Sequence, residues 1–193
     1  MHEFTRELLE RLWRGNPRFE EVSARLAEEC ATMSPVNAGV IGRDLLLRIR
    51  RLTTKEFALA AYLASDGLAG NDGLIDFRDC VAILPEDRFQ RLAENPDELI
   101  NDEVSTGFCE YSFVSRITDV FDRALIEGEQ GLLRYLVFGD EDSEGTVSDT
   151  LSEDEARSRL PRLYEKFGHL LRQAHSPTAA LHSDRVTLDD FIH

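Results

Sequence analysis

Length, composition and charge narrow the field at once: 193 residues carry 37 acidic against 22 basic side chains, a formal charge of -15 at pH 7, which repels nucleic-acid phosphates and anionic membrane surfaces. The 42% of hydrophobic residues can fill one core without help from disulfides or metals. Cys30, Cys80 and Cys109 are widely spaced and form no Cys-x-x-Cys pair, so they read as small buried hydrophobes in a reducing compartment, not as a disulfide framework or zinc knuckle.

In chain order, Phe4, Leu8, Leu9, Leu12 and Trp13 recur at helical spacing, and residues 3–14 are expected to form an amphipathic helix. Glu3, Glu7 and Glu10 interrupt this stretch, so it is neither a signal peptide nor an anchor, and no segment approaches the roughly 18 apolar residues of a membrane span. The expectation is a cytoplasmic protein. Asn16-Pro17 is read as the cap and first turn of a second helix with the face Phe19, Val22, Leu26 and Cys30. Ser34-Pro35 starts a third, to about Arg51, expected to turn Val36, Val40, Ile41, Leu45 and Ile49 inward, with Leu46 and Leu47 widening the stripe. Thr53-x-x-Glu56 has the form of a capping box. The apolar run Phe57 to Ala64 behind it is the expected central, fully buried helix.

A Gly- and Asp-rich loop is expected from Ser65 to Gly73, then a helix from about Asp76 to Leu84 that Pro85 ends. A short helix lined by Phe89 and Leu92 follows, and Asn95-Pro96-Asp97 opens a turn ending near Asn101. Phe108, Tyr111, Thr118, Phe121 and Leu125 describe a long helix closed by Gly128, while 132–138 fits a helix or a short strand, of which helix is preferred. Gly139 to Gly145 is expected to be a solvated loop. Ser152-x-x-Glu155 is a second capping box, opening a helix with Leu160, Leu163, Tyr164 and Phe167 on its face and a kink or late start at Pro161. Beyond about residue 170 the tail is expected to pack loosely.

Ala60-Ala-Tyr-Leu63, Gly70-Asn-Asp-Gly-Leu-Ile-Asp-Phe-Arg78, Phe89, Asn95-Pro-Asp-Glu-Leu99 and Leu160-Pro-Arg-Leu-Tyr164 together resemble the bacterial family called domain of unknown function 4240. The family often has a Trp just before the Ala-Ala-Tyr-Leu run, where this chain has Phe57-Ala-Leu. The resemblance implies an all-helical fold and no established activity, so it transfers no catalytic residue.

Chemistry-bearing motifs are few. Asn71-Asp72-Gly73-Leu74-Ile75-Asp76-Phe77 looks like half of a calcium-binding EF-hand loop, yet with Gly73 at the sixth position Asp79 falls at the twelfth while Leu68 and Gly70 occupy ligand positions. The segment 66–79 therefore has two readings: a ligand or partner loop built from Asp66, Asn71, Asp72, Asp76, Arg78 and Asp79, or a structural turn in which Gly67, Gly70 and Gly73 supply positive φ and Asp72 or Asp76 caps the next helix. Asp140, Glu141, Asp142 and Glu144, followed by 149–155, can form an acidic face for a basic partner such as a nuclease toxin, or simply a solvated loop. Arg43, Arg48, Arg50 and Arg51 can hold an anion or complement a helix dipole. His169, His175 and His182 match no metal-pair spacing, and no nucleophile elbow, phosphate loop or dinucleotide fingerprint is present.

The fold expected is all-α, an irregular single-domain helical bundle over 1–193 in which Trp13, Val40, Leu45, Phe89 and Phe121 surround the central helix. No cofactor or metal is implied. The function expected is a non-enzymatic acidic interaction module, immunity-like or regulatory, that covers a basic protein partner. The alternative is a small hydrolase or ligand- or metal-binding protein using the Asp-rich segment 66–79.

Overall fold

The computed structural model describes residues 1–67, 71–102 and 152–174. The fold is all-α: α1 (Glu3–Leu12), α2 (Phe19–Thr32), α3 (Pro35–Arg51), α4 (Lys55–Ala64), α5 (Asn71–Ala82), α6 (Glu86–Glu94), a 3-10 helix (Pro96–Asn101), α7 (Glu153–Arg159) and α8 (Pro161–Ala174). The helices expected from 108 to 128 and over 132–138, the contribution of Phe121 and the tail after Ala174 lie outside the described residues.

Apolar side chains of these helices merge into one core. At its centre is α4, whose Phe57, Leu59, Ala60, Ala61 and Leu63 are buried, as a helix apolar all round requires. It packs against the 3-10 helix, α8 and α5, with Phe57 edge-on to Phe77 at 6.2 Å. Its cap is Thr54, one residue later than the expected capping box, because Thr54 Oγ1 accepts from the Phe57 amide at 3.1 Å while Thr53 Oγ1 donates back to the Ile49 carbonyl. Cys30 and Cys80 are buried in the same core, and burial, aided by the nearby Glu29 charge, pushes the Cys30 thiol up to about 11.

Several local expectations are corrected. Asn16 does not cap α2; with Gly15 it forms a left-handed turn (φ 56° and 87°), a conformation Asn tolerates, and α2 begins after Arg18. Helix α5 starts at Asn71, so Gly73 is helical and Asp76 is interior rather than a cap. Glycine costs a helix about 1 kcal/mol, whereas burying Leu74 and Phe77 on the core side stabilises by about 2 kcal/mol each; burial wins. Of the kink or late start expected at Pro161 the late start is found, Pro161 opening a second helix after α7. The Ser152–Glu155 capping box opens α7 as expected, and α8 restarts because the buried Asp97 carboxylate, far away in sequence, accepts from the Arg162 and Leu163 amides at 3.1 and 2.9 Å. Proline brings no amide needing a partner to that first turn.

On α3 the inward face is Ala38, Ile41, Asp44, Leu45, Arg48 and Leu52. Val36 and Leu47, expected inside or flanking the inside, are 75% and 45% exposed, and Val40 and Ile49 are only half-buried. Two charged groups occupy the buried face. Asp44 accepts from the His2 amide at 2.6 Å and from Thr5 Oγ1 at 2.8 Å, tying the start of α1 to α3. Arg48 donates to the Ala82 and Leu84 carbonyls at 2.7 and 2.6 Å and pairs with Glu86, while its guanidinium lies over the Phe89 ring, 4.3 Å from the centroid. Trp13 Nε1 donates to the intervening Ile83 carbonyl at 2.8 Å. All three carbonyls of the α5–α6 corner are thus taken by side chains from α1 and α3, which aims α6 back across the core.

Removing one partner of a buried charged network leaves the others unsatisfied. Arg48→Met should therefore lower the unfolding free energy by about 3 kcal/mol in urea titration, and Arg48→Lys should recover only part of it, since one ammonium does not reproduce the planar fork. Asp97→Ala should cost about 2 kcal/mol as a lost helix cap.

Burial disfavours the charged forms of Asp44 and Glu86, but hydrogen bonds outweigh it: from Thr5, the His2 amide and Arg43 to Asp44, and from Gln90 and Arg48 to Glu86. Both carboxyls therefore lie below their ordinary values. The folded state then binds fewer protons than the unfolded state near those values. Their stabilisation is complete above about pH 5 and disappears as pH falls through the lowered folded values. Melting temperatures across this range should drop less steeply with acid in Asp44→Asn, which starts from lower stability.

Candidate functional site

The segment 66–79 does not form the ligand loop of the first reading, and the helix that the structural reading had Asp72 or Asp76 cap already includes both, since α5 begins at Asn71. Asp66 is exposed and lies at φ 57°, just past α4. Its amide donates to the Leu63 carbonyl and the next amide, Gly67, donates to Tyr62 at 2.8 Å, the paired closure of a Schellman motif with Asp66 as the left-handed residue. Gly67 is needed beside it: φ is 81° and a Cβ there would meet the Tyr62 hydroxyl at 3.3 Å. Asn71, Asp72, Asp76, Arg78 and Asp79 instead belong to α5. Arg78 and Asp79 are buried, 8% and 9% exposed, and the side chains of Asn71, Asp72 and Asp76 lie outside the described set. An EF-hand requires Gly73 in an open turn; here it is in a helix, which removes the calcium geometry. Among the described residues no group of His, Cys, Asp or Glu is arranged to hold a metal.

The four arginines of α3 also separate. Arg48 is buried at the α5–α6 corner, Arg51 donates to Gln90 at 2.8 Å, and Arg43 and Arg50 face outward. Burial pulls the Arg48 guanidinium below its ordinary value, with Glu86 opposing. A second polar knot lies nearby: Asp102, itself buried, binds Arg88 at 2.6 Å and Arg91 at 3.7 Å, and Arg88 lies over Trp13 at 5.2 Å. These groups have fixed hydrogen-bond partners inside the protein, so their chemistry is that of clamps between helices. His169 is exposed on α8. Asp140, Glu141, Asp142 and Glu144, with His175 and His182, lie outside the described residues.

Sequence reasoning missed Asp44, Asp97 and Asp102 as buried groups. For Asp44 and Arg48 a signal existed, since both fall on the stripe Ile41, Leu45 and Leu52; for Asp97 it did not, because its partners lie more than sixty positions away.

The exposed charge has a different distribution. Glu3, Glu7 and Glu10 form an outward ridge on α1, and Glu20, Glu21 and Glu28 stand outward on α2. An Arg11–Glu29 bridge of 2.6 Å joins the two rims. No described helix is long and apolar enough to cross a membrane. No family model, curated protein or solved structure matches the chain.

With Asp66 at a left-handed position, Asp66→Gly removes a Cβ penalty of about 1 kcal/mol. Urea titration should show a gain approaching that value, and Asp66→Val a loss. A stability decrease for Asp66→Gly would show that the carboxylate has a role of its own.

Proposed function

We propose that the protein is a non-enzymatic interaction module, immunity-like or regulatory, that covers a basic protein partner in the cytoplasm. One observation carries this reading: among the described residues Asp44, Asp97, Asp102 and Arg48 are engaged in holding helices together, while Glu3, Glu7, Glu10, Glu20, Glu21 and Glu28 stand outward on α1 and α2. Among the described residues the buried charged side chains are Asp44, Asp79, Asp97 and Asp102 against Arg48 and Arg78. On the α1–α2 rim the outward glutamates interleave with the exposed Arg6, Arg11 and Arg25, and the carboxylates left outward, such as Glu7, Glu10 and Glu28, can steer and orient a basic partner. Membership of the domain of unknown function 4240 family belongs to the same proposal, supported by the Ala60-Ala-Tyr-Leu63 run at the centre of the core and by Pro96-Asp97 at the α8 cap.

The test is affinity capture on the full chain from the cells that express it, at about 50 and about 500 mM salt, beside Glu7→Lys/Glu10→Lys/Glu28→Lys. The expected result is a basic partner whose affinity drops at least about tenfold in the triple variant and falls with salt. A partner held equally by both proteins and indifferent to salt would overturn the acidic-face reading.

A further inference from the structure

We draw no further inference here: the strongest candidate, the apolar patch that the exposed Val36 and Leu47 and the half-buried Val40 form on the outward face of α3, carries nothing because nothing in the structure shows what covers it.

Discussion

A buried guanidinium has to be surrounded by acceptors, and this demand organises the first part of the molecule. Arg48 enters the core on a face that is otherwise apolar. Stripping such a cation of water costs several kcal/mol unless its donors are met. The α5–α6 corner serves Nη1 and Nη2 and leaves Nε without a hydrogen-bond partner among the described residues; it can do so because a helix C-terminus leaves carbonyls without partners and a helix start tolerates an acid such as Glu86. One side chain of α3 therefore sets where α5 ends, where α6 begins and at what angle. Trp13 and Phe89 complete the fit by binding the remaining carbonyl and stacking under the cation. The corner is an arrangement with few equivalent alternatives, which is how a buried polar cluster gives a helical core a single register.

The same device recurs with opposite sign. Asp44 receives the backbone at the entry to α1, and Asp97 receives the first amides of α8. Asp97 supplies from a distant segment what a local cap would supply from the preceding residue, whereas α1 keeps its own cap, His2 Nδ1 accepting from the Phe4 amide at 3.2 Å, and Asp44 fixes that cap residue through its amide. Helices α1 and α8 are thereby fastened to the central framework at their N-terminal ends, where the dipole is positive. Apolar contacts alone would leave these helices free to slide; a capped terminus fixes their position along the axis. Ionisable groups engaged in this way are unavailable for other chemistry. The proposed function accordingly rests on exposed side chains, the outward carboxylates of α1 and α2.

Among the described residues, periodicity in the chain was sufficient to mark the approximate place and order of most helices and the burial of α4. Phe57 to Ala64 has no polar side to present to water, and Ser34 and Ser152 carry caps whose partners lie within one turn. Those relations are local, so they are written in adjacent residues. Local spacing also made Val36 and Leu47 look like core, since a helix with two apolar faces shows the same letters whichever face is turned inward. What chose Ile41, Leu45 and Leu52 was the shape of α1, α2 and α5 against them. The start of α5 before Gly73, the division at Pro161 and the roles of Arg48 and Asp97 were likewise decided only by tertiary structure. In each case the energy that settles the matter, a buried Phe77 or a carboxylate meeting two amides, comes from contacts between segments far apart in the chain, which composition and spacing do not encode.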